Sequence, residues 1–429
     1  MISIKDLNQH VKNNQWISMA SVDLIEARRL IPSGCEHVDE RRVIRHKLTK
    51  SLRNDREQWW VTKAKEMEKA AAIGNTRQLF KLIKETGVKK SSVSETISEK
   101  DGTLISSQSR RLERWAEHFK EQFSWPSATL KLPTISRQPE WKVHLGPLTL
   151  IEVEKAIANP RRGKASVSDG LSLEVFKDGG PTLTTRLTDI LTKFWELDII
   201  PSDWCRSLIV SVYKKGSKSS CDNHKGISLT NIVSKILASI IIKRLTATRD
   251  LQIRENQAGF RPGRGFIGQI TTIRQVLEHR HIFRRPTIVV FLDLKAAFDS
   301  VDCEVLRQCL SLKGLPQKNI KLAKALYSNT ISRVRAYGEL SSELVTSSGV
   351  RQGFPLSPFL FNFIVDILLE ITLSSSDFSG IDLLPGDTLI DLEYADDIVL
   401  FDEDSDTMQN LLTVINSNAS IFGMRFPPM

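Results

Sequence analysis

Apolar positions recur at helical spacing through the first third of the chain, whereas beyond about residue 146 helical stretches alternate with short strand-like runs. Asp39 to Glu85 reads as charge-rich helix, with Trp59, Trp60, Leu79 and Phe80 as packing anchors. Ser124 to Leu148, punctuated by Pro126, Pro133, Pro139 and Pro147, reads as a linker. Thr149 is placed to cap a helix running to Asn159, and Ala165 to Gly170 forms a loop. Further helices are predicted over Thr182–Leu197, Ile232–Thr246, Gln269–Phe283, 303–313 and 317–328. Strands are predicted over Arg206–Tyr213 and 287–292, and as a pair over Ser332–Tyr337 and Glu343–Val350. Asn256 to Gly265 is a loop rich in glycine and arginine. Neither an internal repeat nor a low-complexity tract is present.

Two stretches read more than one way by pattern. Phe359 to Leu373 is apolar enough to suggest a membrane span, but Asn362, Asp366 and Glu370 recur every four residues. That stripe predicts an amphipathic helix and no span. Arg110, Arg111 and Arg114 accompany Trp115 and Phe119 at helical spacing. They read either as a basic-aromatic RNA surface or as a helix with a core stripe and solvated arginines.

Composition narrows the picture. The 429 residues are 41% hydrophobic, which is globular and leaves room for two or three domains. The net charge of +10 is unevenly spread. Residues 1–150 hold 27 Lys and Arg against 18 Asp and Glu, and residues 201–350 hold 24 against 11. Residues 351–429 reverse to 2 against 13. A basic body beside an acidic centre suits a polyanion held by phosphate contacts and presented to metal ions. Five scattered cysteines without a Cys-x-x-Cys pair indicate neither a zinc finger nor a disulfide framework, and fit a reducing compartment. The N-terminus lacks the basic-then-apolar pattern of a signal peptide, so a cytoplasmic and nuclear location is expected.

The strongest chemical signal is Asp396-Asp397, framed by Glu393-Tyr394-Ala395 and followed by the apolar run Ile398 to Phe401. A structural hairpin turn prefers Asn-Gly or Asp-Gly, and adjacent anions gain only when a cation sits between them. The buried-strand pattern of Thr287 to Leu292 delivers Asp293 at its end. Three carboxylates from two strands can therefore converge, as a two-metal phosphoryl-transfer site requires.

Three stretches carry a resemblance: FLDLKAAFDSVD (Phe291–Asp302), GVRQGFPLSPFLFN (Gly349–Asn362) and LEYADDIVLF (Leu392–Phe401). They resemble motifs A, B and C of a reverse transcriptase, in particular that of non-LTR retrotransposons whose elements encode an apurinic-type endonuclease upstream. Lys164–Gly180, Trp204–Asn231 and Glu255–Gly265 resemble further family stretches in the family's order. The resemblance covers about residues 145–429, and more loosely the helical N-terminal third. It implies an α+β fold: a right-hand polymerase with an antiparallel palm sheet at 287–429, fingers at 146–286 and a helical N-terminal extension at 1–145. It implies RNA-directed addition of dNTPs to a DNA or RNA primer 3′-end on an RNA template, primed in the family from nicked chromosomal DNA. The family works as a ribonucleoprotein.

Residue by residue, the resemblance makes Asp293, Asp396 and Asp397 the catalytic carboxylates. With the backbone carbonyl of Leu294 they would ligate two Mg²⁺ ions, Mn²⁺ being a substitute. Phe298 stands at the aromatic gate that excludes a 2′-hydroxyl. Gln352 and Gly353 would contact the incoming nucleotide and template, Lys214 or Lys215 with Lys225 the triphosphate, and Arg261 and Arg264 the template phosphates. The chain departs from the pattern at Lys225, where the family commonly has arginine, at Gly268, where aspartate is frequent, and at Phe354, where a small residue is usual. Lys225 keeps the charge but loses the bidentate fork. The final residues, Phe422 to Met429, fall where motif D begins, so thumb and primer grip are expected to be missing. A catalytically inactive RNA-binding remnant is the alternative this raises. An RNA-dependent RNA polymerase shares the two-metal palm, but Phe298 and Tyr394-Ala395-Asp396-Asp397 argue against it.

Overall fold

The computed structural model describes residues 16–32, 35–75, 78–79, 81–83, 96–125, 136–163, 170–328, 330–374, 378–384 and 387–426. The chain divides into two compact units, Met1–Ser91 and Ser92–Met429. The break falls well before the boundary expected near residue 145.

In the first unit, α1 (Met19–Leu30) pairs with the long helix α2 (Val38–Ala72). Ser18 caps α1, and the Ser18 and Ser21 hydroxyls donate to one oxygen of Asp55 at 2.8 and 2.5 Å, tying the two helices. The helical stretch expected over Asp39 to Glu85 is broken after Ala72 by a left-handed Gly74 at φ 65°, and residues 78–79 and 81–83 are helical again. Trp59 is half-buried and packs edge-on to Trp60, which is 46% exposed and so is no core anchor. Leu79 is half-buried, and Phe80 lies outside the described residues.

The second unit opens with a short hairpin, β1 (Ile97–Ser98) and β2 (Leu104–Ile105), and the helix α3 (Gln108–Gln122). Helices α4 (Leu150–Ala158), α5 (Leu173–Asp178) and α6 (Gly180–Leu197) follow, then β3 (Arg206–Tyr213), β4 (His224–Thr230), α7 (Ile232–Gln252) and α8 (Phe266–Ile282). Next come β5 (Ile288–Leu292), the single turn α9 (Ala297–Ser300), α10 (Cys303–Leu312), α11 (Gln317–Tyr327), β6 (Thr330–Ala336), β7 (Glu339–Leu340) and β8 (Leu344–Thr346). The unit closes with α12 (Leu356–Ser374), β9 (Ile381–Leu384), β10 (Asp387–Leu389), β11 (Asp391–Tyr394), β12 (Asp397–Asp402) and α13 (Ser405–Ile421). The architecture is α+β. β3 joins β4 antiparallel and β6 parallel, and β6 pairs antiparallel with β7 and β8, whereas β11, β12 and β5 form a separate antiparallel sheet.

Helix α3 settles the Arg110 to Phe119 stretch. Leu112, Trp115, Ala116 and Phe119 form an apolar face, with Trp115 and Phe119 fully buried against the β3–β4 sheet and its neighbours. Arg110 forks between Glu99 and Glu117 at 2.7 and 2.6 Å. Arg111 lies over the Tyr337 ring, and Arg114 is buried. The core stripe holds but the arginines are not all solvated, since Arg114 is buried; the aromatics of the RNA-surface reading are inside and Arg110 is ion-paired.

The stretch read as a linker is packed where it is described. Trp141 and Leu148 are buried, and the Gln138 and Trp141 amides donate to the carbonyls of Leu312 and Gly314 at 2.8 Å each. Thr149 caps α4 as expected and forms a reciprocal capping box with Glu152. The Arg244 guanidinium on α7 then clamps Glu152 at 2.7 Å and holds that carboxyl down at about 2. The loop at 165–170 lies outside the described residues except for Gly170.

Helix α12 is long and apolar enough to cross a membrane, but 78% of its apolar window is buried inside the unit. Its polar stripe is not a solvated face, as the amphipathic reading requires. Asn362 and Asp366 are fully buried. The Asn362 amide donates to the Gly259 carbonyl at 2.7 Å. Asp366 accepts the Arg254 amide at 3.0 Å and pairs with Lys313 at 2.6 Å, and Lys313 also reaches Glu370 at 2.7 Å. Removing one partner of a buried pair leaves the other charge uncompensated. Lys313→Met should therefore cost about 3–5 kcal/mol in urea unfolding; a loss below about 1 kcal/mol would show the pair to be dispensable.

Candidate active site

The site is set by strand register. β12 pairs with β5 through Ile398 opposite Leu292, and with β11 through Tyr394 opposite Asp397. Asp293 follows the last paired residue of β5 and Asp397 begins β12, so the two stand at adjacent strand ends, and Asp396 stands in the two-residue turn between β11 and β12. Asp293 and Asp397 are exposed and Asp396 is half-buried. Partial burial raises the Asp397 carboxyl above its ordinary range, and the neighbouring charges of Asp396 and Asp293 raise it further. The two strand ends thus bring these carboxylates into one electrostatic site. Among the described residues, no three His, Cys, Asp or Glu side chains form a ready-made metal-binding group.

The turn is built against the chain's usual preferences and is supported from below. Ala395 adopts a left-handed φ of 62°, costly for a residue with a Cβ. Its amide donates to Gln257 Oε1 at 2.9 Å, and the Gly259 amide donates to the same oxygen at 2.7 Å. Gln257 Nε2 in turn donates to Glu393 at 2.7 Å. A Cβ on Gly259 would meet the Ala395 nitrogen at 2.2 Å, so only glycine permits this approach. Glu393 is buried, which raises its carboxyl well above normal, while Arg254 opposes the shift from 2.8 Å. Arg254 also bonds Asp391.

The remaining predicted residues divide. Leu294 is a core side chain. The Phe298 ring is 9% exposed, stacked on Phe361 at 4.4 Å and edge-on to Phe260 at 6.3 Å. Gly353 has φ 101°, and a Cβ there would strike the Ser228 carbonyl at 2.8 Å. The Ser228 amide donates to the Gln352 carbonyl at 2.7 Å. Together they bind the Gly349–Asn362 stretch to β4. Lys225 is half-buried on β4, while Lys214 and Lys215 are exposed just beyond β3. Arg261 is not available to a template phosphate: it is 8% exposed and donates to the carbonyls of Arg254, Gln257 and Asp250 at 2.9, 2.9 and 2.8 Å. It pins the 254–261 loop. Arg264 is exposed but bonded to the Glu255 carbonyl and carboxylate, at 2.7 Å each. Phe354 fits its unusual position because its ring is buried beside Tyr327 and under the Arg351 guanidinium at 5.0 Å. A Cβ at Gly268 would meet open space, so nothing there demands glycine.

Sequence reasoning missed Gln257, Gly259, Glu393 and Arg254, which hold the turn, and Asp299. Asp299 is 2% exposed and receives the side-chain amides of Gln122 at 2.6 Å and Gln352 at 3.3 Å. Burial pushes its carboxyl up to about 7, against the pull of Gln122, Lys225, Lys214 and Gln352. Its place one residue after Phe298 was the available signal.

Residues 212–429 match the family described as reverse transcriptase (RNA-dependent DNA polymerase). The chain belongs to that family. It is similar to an uncharacterized 149 kDa protein of transposon TX1 from Xenopus laevis, 28% identical over 277 residues, which are 64% of this chain and 21% of the relative. A Pol polyprotein of a type-2 retrotransposable element from Drosophila melanogaster is 30% identical over 231 residues, covering 52% and 21%. The Pol polyprotein of type-1 retrotransposable element R2 from Popillia japonica is 27% identical over 284 residues, covering 65% and 38%. These relatives place this reverse transcriptase among those of non-LTR retrotransposons. The chain spans between 21% and 38% of their length.

Two outcomes follow from the site's packing. Gly259→Ala should lower stability by about 1–3 kcal/mol as Ala395 is forced away; an unchanged melting temperature would show that the turn yields freely. For Asp299, the folded state holds its proton more tightly than the unfolded chain, 7 against 3.8. Its contribution to stability is complete below about pH 4 and is lost as pH rises through 7. Urea midpoints at pH 5 and 8 should differ less in Asp299→Asn than in the parent, and an identical difference would count against a buried ionisable carboxyl.

Proposed function

We propose that this reverse transcriptase adds deoxynucleotides to a primer 3′-end on an RNA template, with Asp293, Asp396 and Asp397 as its catalytic carboxylates. The observation that carries the reading is the β5–β12 register, which ends with Leu292 opposite Ile398 and so leaves Asp293 and Asp397 at adjacent strand ends beside the Asp396 turn. In this reading the three-stranded sheet is the palm, and β3 and β4 belong to the fingers.

The donor chemistry of these residues fits a divalent ion. Their donors are all oxygen, the ligand type of Mg²⁺, and Asp397, raised first by partial burial, is raised further by Asp396 and Asp293, charges that a cation would offset. Asp293, Asp396 and Asp397, with the Leu294 carbonyl, would hold Mg²⁺. A divalent ion held there would supply the acidity that activates a primer hydroxyl and the charge that offsets the triphosphate.

The chain's own side chains do the positioning. Lys225, with Lys214 or Lys215, holds triphosphate oxygens. Gln352 meets the nucleotide, while Gly353 lets the backbone pass close to β4. Phe298 cannot swing aside to admit a 2′-hydroxyl, because Phe361 and Phe260 clamp its ring. Arg264 is exposed at the surface, where it can exchange Glu255 for a template phosphate.

The test is primer extension by the full chain on an RNA template with dNTPs and Mg²⁺, beside Asp396→Ala. We expect extension by the parent and at least about a hundredfold less by the variant, as for loss of a group that stabilises transition-state charge. Equal extension would remove Asp396 from the chemistry. No extension from either protein, with RNA retained in a filter assay, would favour the inactive RNA-binding remnant.

A further inference from the structure

Helix α3 lies upstream of the span that matches the family, 212–429, yet its last residue reaches Asp299 and Gln352 within that span. Gln122 Nε2 donates to Asp299 Oδ2 at 2.6 Å, and Gln352 Nε2 donates to the same oxygen at 3.3 Å. The helix is anchored there independently of this contact. The Phe123 carbonyl accepts the amides of Ser347 and Ser348 at 3.0 and 3.1 Å, and the Trp125 amide donates to the Ser348 hydroxyl at 3.1 Å. Gly226 of β4 also leaves room for the Phe119 ring, which a Cβ would meet at 2.6 Å. The end of α3 is therefore stitched to the strand carrying Lys225 and to the loop leading into Gln352.

The polar accounting at this junction is incomplete. Asp299 Oδ1, Gln122 Oε1 and Gln352 Oε1 are buried without a hydrogen-bond donor among the described residues. Three buried acceptors with no donor are costly unless a cation or hydroxyl reaches them. The charged groups acting on Asp299 are Lys225 on β4 and Lys214 beyond β3, both favouring its ionised form. The carboxylate also fixes which way the Gln352 amide points, since only its NH₂ end can face Oδ2.

We propose that α3 is part of the nucleotide-binding site: Gln122 holds Asp299, and Asp299 orients the Gln352 amide and draws Lys225 electrostatically toward the site of the incoming triphosphate. Gln122 and Asp299 are positioning residues, acting through Gln352 and Lys225. The inference rests on the reading of those two as nucleotide contacts. The relay explains why a carboxylate is kept in a buried position, and it makes a helix outside the matched span necessary for full nucleotide affinity.

The experiment is an equilibrium titration of a fluorescent deoxynucleoside triphosphate onto the full chain with primer and RNA template, with single-turnover extension alongside. Gln122→Ala, Asp299→Asn and the double variant are compared. Gln122→Ala suits the purpose because alanine favours the helix, and melting temperatures confirm folding. We expect Kd to rise about tenfold in each single variant, as for a lost hydrogen bond to a charged group. The double variant should be no weaker than Asp299→Asn alone, because both changes cut one relay. The extension rate at saturating nucleotide should stay within about threefold in both singles, since neither residue touches the reacting atoms. The midpoint of the pH dependence of Kd should move upward in Gln122→Ala, which loses a donor to the ionised carboxylate, and this component should vanish in Asp299→Asn. An unchanged Kd in Gln122→Ala, or additive losses in the double variant, would overturn the proposal, as would a parent chain that binds no triphosphate. Failure of the polymerase reading shows separately, as a parent chain that binds triphosphate but leaves the primer unextended.

Discussion

The site depends on one pairing register, that of β12 with β5. Side chains alternate along a strand, so a slip of one residue would turn Asp397 to the other face and exchange Ile398 and Leu400, which pack in the main core, with Val399 and Phe401, which pack in a second cluster. The register is secured by burial on both strands of the hairpin: Leu392, Ile398, Val399, Leu400 and Phe401 are all inside. Hydrophobic packing thus decides where the anions stand, although the anions themselves repel.

That repulsion is met by a polar frame beneath the turn. Arg254 bonds Asp391 and Glu393, and Gln257 bridges Glu393 to the Ala395 and Gly259 amides. Asn362 and Asp366 tie α12 to the same loop. Buried networks of this kind are rigid when complete and costly when any member is lost. The frame lets a left-handed alanine persist in a turn where glycine or asparagine would be easier. Arg261, spent on three carbonyls, belongs to this frame and not to a nucleic-acid surface.

A second, smaller frame joins Asp299, Gln122 and Gln352, with Lys225 and Lys214 facing it. Among the described residues, the first frame keeps buried atoms of both kinds without a hydrogen-bond partner, the donors Arg254 Nη1 and Arg261 Nε beside the acceptor Asn362 Oδ1. The second leaves three acceptors without donors, which suits a place where something else arrives.

By itself, the sequence determined most of the helices and the strands β3, β5 and β6, though not β4, together with the apolar stripe of α3, the Thr149 cap and the acidic residues at two strand ends. These are short-range properties: periodicity reports which face is buried, and a cap or turn involves neighbours a few residues apart. The tertiary structure alone decided that Arg261 is buried, that the stripe of α12 is internal, and that the stretch before Thr149 is packed. It alone brought Gln122 to Asp299, 177 residues away in the chain. A polar side chain carries no local mark of its distant partner, so arginine, glutamine and aspartate read as solvated until packing shows what they face.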